Sequence, residues 1–107
     1  MDNFNIDIIN QLIKDNKIIW TNHVIIRLLQ RNMTQENVKH ALMHGEIIES
    51  YEEDYPYPSC LVYGLSEDNK VIHIVCGYNG ENLWIITAYY PNNKEWENDM
   101  KTRKGIE

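Results

Sequence analysis

Apolar residues recur at helical spacing in three segments of the amino-terminal half of the chain. In the first segment, residues 5–16, isoleucine and leucine return every three or four positions behind asparagine and aspartate, which predicts an amphipathic helix. Thr21, or the asparagine after it, can cap a second helix that runs to about Arg31, and Thr34 can cap a third. Gly45 follows the third helix and is predicted to end it in a left-handed conformation.

From residue 46 onward the pattern changes to runs rich in β-branched and aromatic residues, which predict strands. The predicted strands are residues 46–51, 60–65, 70–78 and 83–91. Turn-forming clusters separate the last three, so an antiparallel meander is expected, and residues 17–20 are either an extended connection or an edge strand. We therefore expect an α+β fold in which amino-terminal helices pack on one face of a four-stranded antiparallel sheet, followed by a short C-terminal helical turn and a frayed basic tail.

Length and charge narrow the class of protein. The 107 residues suffice for a single domain over residues 1–107 that buries a core without disulfides or a structural metal. A net charge of −6 argues against broad electrostatic capture of nucleic acid. The charge is unevenly distributed, because residues 17–44 hold four basic residues and one acid, whereas residues 46–54 hold five acids and no base. A local contact with an anion fits this pattern, and so does a solvated helix face.

The amino terminus, the two cysteines and a pair of histidines have simple interpretations. The first ten residues carry no base, and no apolar run approaches membrane-spanning length, so we expect a cytoplasmic protein. Cys60 and Cys76 lack a Cys-x-x-Cys spacing and are interpreted as buried, reduced thiols. His40 and His44 lie one helical turn apart, but the glutamate of the His-Glu-x-x-His pattern and a third ligand are missing, so we predict surface residues. No metal and no cofactor are expected.

The second helix carries a polar stripe made by His23, Arg27 and Arg31. Their spacing of four residues aligns the three side chains along the helix axis. The opposite side of the helix is apolar and carries Ile25, Leu28 and Leu29. Two guanidinium groups and an imidazole in this arrangement suit a phosphate or carboxylate ligand. The same arginines can instead pair with the acids that follow Gly45 or simply face solvent, and the sequence leaves these alternatives open.

His73 interrupts an otherwise apolar strand. Alternation places it on one face of that strand together with its neighbours two residues away on either side. If Tyr63, Thr87 and Tyr89 share this face, the sheet holds an imidazole among hydroxyl groups, which is an inventory for general acid and base catalysis. A hydrogen-bonded core histidine is the alternative interpretation.

Five short motifs in a fixed order resemble the bacterial domain-of-unknown-function family 4258. The motifs are HVIIRLLQRNMT (23–34), VKHALMHGEII (38–48), LVYG (61–64), IHIV (72–75) and TAYYPNNKEW (87–96). The resemblance covers about residues 17–104. It implies a small fold grouped with the BrnT and RelE/ParE-like toxins, which are often encoded beside a zinc-finger antitoxin. It also implies RNA cleavage without metal, in which the 2′-hydroxyl is the nucleophile and basic side chains surround the phosphate.

Together, the polar stripe and the resemblance lead to the hypothesis of a toxin that is a metal-independent endoribonuclease. The candidate site residues are His23, Arg27, Arg31, His73, Thr87 and Tyr89. One of the two histidines would activate the 2′-hydroxyl, the arginines would stabilise the phosphate, and the threonine or tyrosine would position substrate or donate a proton. The expected partners are RNA and a zinc-finger antitoxin, with no membrane. The alternatives are a non-catalytic module that binds a partner protein through its sheet and the aromatic residues of segment 51–58, and a toxin that inhibits a protein target.

Overall fold

The structure is a computed structural model that describes residues 4–105. Within these residues the chain forms three helices and five strands. In chain order they are α1 (Ile6–Lys14), β1 (Ile18–Trp20), α2 (Asn22–Gln30), α3 (Gln35–Met43), β2 (Glu46–Tyr51), β3 (Ser59–Leu65), β4 (Val71–Tyr78) and β5 (Leu83–Tyr89). The fold class is therefore α+β, as predicted. No helix in this part of the chain is long and apolar enough to cross a bilayer.

Side-chain caps explain where the helices begin. The Thr21 hydroxyl accepts a hydrogen bond of 3.1 Å from the amide of Val24, so the predicted cap of α2 is confirmed. Thr34 accepts from the amide of Asn37, whose side chain accepts from the Thr34 amide in return, which makes a reciprocal cap at the start of α3. The prediction of a left-handed Gly45 is wrong. Within residues 4–105, Gly80 is the glycine that has a positive φ.

The sheet has the strand order β1-β5-β4-β3-β2. The last four strands form the predicted antiparallel meander. The prediction of a four-stranded, wholly antiparallel sheet is wrong, because β1 pairs in parallel with β5, with Ile18 opposite Leu83 and Trp20 opposite Ile85. Short turns forbid parallel pairing only between consecutive strands. Two helices and three strands separate β1 from β5, so the chain is long enough for the parallel pair.

The core lies between the three helices and one face of the sheet. It is built by buried aliphatic side chains that include Ile9, Val24, Leu28, Val38, Leu42, Val62, Ile72, Ile74 and Ile85. Two glycines let α3 lie close to β3. A β-carbon at Gly64 would stand 2.1 Å from the carbonyl oxygen of Ala41, and one at Gly45 would stand 2.5 Å from a methyl group of Val62. Gly45 is therefore required for its small size rather than for a left-handed conformation.

Residues 92–104, which we call the C-terminal segment, pack on the sheet beside His73. The predicted helical turn is wrong in extent, because it is reduced to one hydrogen bond from the amide of Trp96 to the carbonyl oxygen of Asn92, and the rest of the segment consists of turns and an isolated bridge between Trp96 and Arg103. The side chains of Asn92 and Asp99 accept hydrogen bonds of 2.9 Å from backbone amides two residues further along, and such turns compete with helix formation. The predicted frayed tail is also wrong as far as Arg103, since this side chain is bound to the sheet.

Candidate functional site

The polar stripe of α2 divides into an anchored end and an exposed end. Arg31 is half-buried, and its Nη1 donates hydrogen bonds of 2.7 Å to the carbonyl oxygen of Ala88 and 3.2 Å to the hydroxyl of Thr87. The side chains of His23 and Arg27 are exposed, and neither makes a hydrogen bond or an ion pair with another residue in the range 4–105. The stripe therefore presents an imidazole and one guanidinium group to solvent while Arg31 ties the helix to β5.

The position of Arg31 follows from the length of β1. Because β1 pairs only with residues 83–85 of β5, it leaves the backbone of the second half of β5 without a strand partner on that side. Unpaired backbone groups at a sheet edge need other hydrogen-bonding partners, and α2 packs beside β5. The guanidinium of Arg31 supplies such a partner to Ala88. On the apolar side of α2, Leu28 is buried as expected, whereas Leu29 is 76% exposed.

His73 is fully buried, and both of its ring nitrogens have partners. Nε2 lies 2.6 Å from the carbonyl oxygen of Met100, and Nδ1 lies 3.3 Å from the hydroxyl of Tyr89. A carbonyl only accepts, so Nε2 carries the proton and Nδ1 accepts from the tyrosine. Tyr63 and Tyr89 stand directly opposite His73 on the neighbouring strands, and the ring of Trp96 meets it edge-on at 4.5 Å between centroids. The ring thus lies between Tyr63 and Tyr89 on the face that the alternation allowed, and it is closed to solvent.

The candidate residues do not converge on one cleft. Thr87 stands opposite Val75, two pairs along from the His73–Tyr89 pair, and its hydroxyl accepts from Arg31. Arg31 contacts β5 from the edge beside α2, whereas His73 is enclosed between the sheet and the C-terminal segment. The structure therefore joins Arg31 with Thr87 and His73 with Tyr89 as two separate pairs, and leaves His23 and Arg27 outside both.

We predict that His73 makes the fold sensitive to mild acid. Burial lowers the pKa of His73 from its ordinary value of 6.5, and this effect outweighs the opposing one of the Met100 carbonyl. The unfolded chain therefore binds a proton more readily than the fold does, so stability is complete above about pH 6.5 and decreases as the pH falls below it. Urea unfolding at about pH 7.5 and about pH 5.5 should show a larger loss of stability for the wild type than for His73→Gln. Equal losses in the two proteins would contradict the prediction.

A second polar cluster, which the sequence analysis missed, ties the C-terminal segment to β2. Arg103 donates to both carboxylate oxygens of Glu49 at 2.7 and 3.1 Å, and the hydroxyl of Tyr51 donates to the same carboxylate. Lys101 pairs with Glu46 at 2.9 Å. Two of the acids that follow Gly45 are therefore bound by basic residues of the C-terminal segment and not by the arginines of α2. The sequence does contain a signal for this cluster. The acidic residues 46–54 are opposite in charge to the basic residues of the C-terminal tail, which was predicted to fray.

The ionisation of this cluster keeps it intact at neutral pH. Burial alone would raise the pKa of Glu49, but the hydrogen bonds from Arg103 and Tyr51 outweigh it and the pKa is lowered. Burial has the largest effect on Tyr51 and the hydrogen bond to Glu49 the next largest, and together they raise its pKa to about 12. The carboxylate thus stays charged and the phenol stays protonated, which suits a structural attachment better than proton transfer.

The cysteines and the remaining histidines have structural environments. Cys60 and Cys76 are buried, reduced thiols that face each other across β3 and β4 with their sulfur atoms 3.8 Å apart. The hydrogen bond with Cys60, together with burial, raises the pKa of the Cys76 thiol well above its usual range. His40 and His44 are exposed, as predicted. Among residues 4–105 no group of three or more His, Cys, Asp or Glu side chains is placed to hold a metal ion.

An apolar groove lies where the loop after β2 meets the sheet. Its volume is about 310 Å³, and its lining includes Tyr55, Pro56, Tyr57, Gly77, Trp84 and Ile86. Large apolar surfaces are exposed here, since Tyr55 is 95% exposed and Ile86 is 48% exposed. The aromatic loop is a candidate binding surface in the sequence, but no sequence pattern indicates that the sheet forms a groove with it.

Comparison with known proteins identifies the family but no characterised relative. Neither the curated proteins nor the solved structures contain a match to this chain. A family model described as "Domain of unknown function (DUF4258)" matches residues 20–90, which run from the end of β1 through α2 to the residue after β5. The match thus covers more than half of the chain, including the polar stripe and His73, and ends before the C-terminal segment. The chain therefore belongs to the DUF4258 family.

Proposed function

We propose that this protein is the toxin of a bacterial toxin–antitoxin pair and cleaves RNA without a metal, using the exposed end of the α2 stripe. One observation carries the proposal. His23 and Arg27 lie one turn apart on the same helix face and have no carboxylate partner within residues 4–105, although the chain is acidic. Of the acids that follow Gly45, Glu46 and Glu49 are paired with Lys101 and Arg103. An unpaired basic pair of this kind suits a phosphate ligand.

The spacing of the two residues fits cleavage through the 2′-hydroxyl. Side chains four residues apart on a helix have β-carbons about 5–6 Å apart, so both can reach one nucleotide linkage. In the proposed reaction His23 takes the proton of the 2′-hydroxyl, and the 2′-oxygen bonds to phosphorus as the bond from phosphorus to the 5′-oxygen breaks. Water protonates the leaving 5′-oxygen. Arg27 stabilises the charge that develops on the phosphate, and the product ends in a 2′,3′-cyclic phosphate.

The other candidate residues receive supporting roles in this proposal. Arg31 holds α2 against β5 through Ala88 and Thr87, which positions the exposed part of the stripe. Tyr89 and His73 bind each other inside the fold and hold the C-terminal segment through Met100. His23 is favoured over His73 as the base because a base must reach the proton it removes, and the ring of His73 is enclosed.

The proposal of a toxin and its partner rests on the resemblance of the sequence to toxins and on the order of the elements. Helices that lead into an antiparallel meander are the arrangement that the resemblance to BrnT and RelE/ParE-like toxins implies. We propose a zinc-finger antitoxin as the partner and the cytoplasm as the site of action. Expression of the toxin should then arrest growth, and the product of the neighbouring gene should relieve the arrest.

We expect purified protein to cleave a 5′-labelled RNA in the presence of EDTA. His23→Ala should lower the cleavage rate by at least about a hundredfold, which is the usual contribution of a general base. Arg27→Ala should weaken binding of the RNA as well, and should reduce the slope of log affinity against log salt by about 0.7 if one phosphate contact is lost. Gel analysis of the products and fluorescence anisotropy at several salt concentrations measure the two effects.

Lys14→Ala is the matched control, because it removes one exposed positive charge from α1 and leaves the stripe intact. It should leave both cleavage and the salt slope close to those of the wild type. The proposal fails if no RNA is cleaved, if products lack the cyclic phosphate, or if the double variant His23→Ala/Arg27→Ala cleaves as fast as the wild type. Growth arrest by that double variant would separate toxicity from RNA cleavage and would favour a toxin with a protein target.

A further inference from the structure

The apolar groove combines features that the proposed RNA site does not use. Its wall is formed by the loop after β2, and its floor by the sheet, with Gly77 of β4 beside Trp84 and Ile86 of β5. A β-carbon at Gly77 would meet the carbonyl oxygen of Pro58 at 3.4 Å and a methyl group of Ile86 at 3.6 Å. Glycine thus keeps space open between the loop backbone at Pro58 and the Ile86 side chain of β5. Exposed apolar surface that lines a concave site is typical of a place where another molecule binds.

The volume of the groove limits what it can hold. About 310 Å³ is close to the lower end of ligand pockets, which run from about 300 to 1,000 Å³. That space suits one or two apolar side chains of a peptide rather than a cofactor. Tyr55 and Tyr57 stand at the groove with 95% and 47% of their surface exposed, and aromatic side chains of this kind are frequent anchors in protein interfaces.

The charge around the groove indicates which kind of protein segment would be attracted to it. The loop that forms its wall begins with Glu52, Glu53 and Asp54, all of which are exposed. Neither glutamate has an ion pair or a hydrogen bond from its side chain in the described part of the chain. An RNA strand or a second copy of this chain, with its net charge of −6, would bring negative charge to this surface. A positively charged segment would instead be attracted.

We propose that the apolar groove binds a basic segment of a partner protein, with one apolar side chain inserted beside Trp84 and Ile86 and flanking lysines or arginines facing Glu52 and Glu53. The groove and the α2 stripe are different surfaces, so this proposal does not depend on RNA cleavage. The groove is lined by β5, β4 and the loop after β2, whereas the stripe lies on a helix of the opposite layer.

The probe is a labelled synthetic peptide of four lysines around a central leucine, and its binding is followed by fluorescence anisotropy at about 0.15 M salt, where charges beyond about 8 Å are largely screened. Glu52→Lys/Glu53→Lys should weaken binding about tenfold, in line with loss of complementary charge at an interface rim. Tyr55→Ala and Gly77→Val should each weaken it at least about fivefold, because one removes an aromatic wall and the other fills the floor. Circular dichroism verifies that the variants fold.

Glu36→Lys/Glu95→Lys is the matched control for charge, because it reverses two exposed acids outside the groove. It should change the affinity less than about twofold, since screening limits the effect of distant charges. Replacing the central leucine of the peptide by serine should reduce the affinity as strongly as Gly77→Val does. The proposal is overturned if the lysine–leucine peptide shows no saturable binding or if the serine peptide binds with equal affinity. It is also overturned if Glu36→Lys/Glu95→Lys weakens binding as much as Glu52→Lys/Glu53→Lys does, or if the protein self-associates and Tyr55→Ala abolishes that self-association.

Discussion

Gly64→Ala is expected to cost more than about 3 kcal/mol of the free energy of unfolding, which is beyond the usual range for an added methyl group in a core. The added β-carbon would lie 2.1 Å from the carbonyl oxygen of Ala41, 2.6 Å from its carbonyl carbon and 2.9 Å from its α-carbon. All three are backbone atoms, so no side-chain rotation relieves the overlap. Helix α3 would have to move away from β3 and open the core between them. Denaturation by urea, followed by circular dichroism, measures the loss.

Gly77→Ala is the matched control for this prediction. Gly77 lies in the neighbouring strand, and its closest contact from an added β-carbon would be an ordinary 3.4 Å. Alanine in a strand is favoured over glycine by roughly 0.5–1 kcal/mol because the unfolded chain loses less entropy. We therefore expect Gly77→Ala to be neutral or slightly stabilising. Similar destabilisation by both substitutions would contradict the close approach of α3 to β3.

The elements that the sequence predicted well are those with local causes. Helix starts at Thr21 and Thr34 depend on hydrogen bonds between residues three apart, and the meander depends on turns between consecutive strands. The parallel pairing of β1 with β5 and the small size of Gly45 depend on parts of the chain far apart in sequence. Periodicity and capping patterns carry no information about such contacts, and these are the points at which the predicted fold was wrong.

The same distinction applies to the candidate site. The predicted helix carries His23 and Arg27, with Arg31 at its C-cap, and the strand register brings His73 opposite Tyr63 and Tyr89, a grouping that alternation allowed. The spacing did not reveal that a short β1 would leave Ala88 as an acceptor for Arg31. It also did not reveal the enclosure of His73, because the cover comes from the C-terminal segment, which lacks helical or strand periodicity.

Removal of the Trp96 side chain is the second change for which we expect a large effect. Trp96 is 1% exposed, its ring packs edge-on against His73 at 4.5 Å, and the guanidinium of Arg103 lies over it at 4.6 Å. Trp96→Ala should cost about 3–5 kcal/mol of the free energy of unfolding, as is usual for truncation of a buried tryptophan. It should also release the C-terminal segment from the sheet. Urea unfolding measures the cost, and hydrogen exchange of the amides in residues 92–104 measures the release.

Trp96→Phe separates the packing of the ring from its polar group. The indole nitrogen of Trp96 is buried and has no hydrogen-bond partner in the described residues, so phenylalanine would remove an unsatisfied donor while keeping an aromatic ring. Its cost should therefore be clearly smaller than that of alanine, and equal costs would contradict an anchoring role for the ring.

Release of the segment by Trp96→Ala would also uncover His73, whose pKa should then rise toward 6.5 because burial is what lowers it. RNA cleavage that appears only in Trp96→Ala and is lost on replacement of His73 would assign the base to His73 instead of His23.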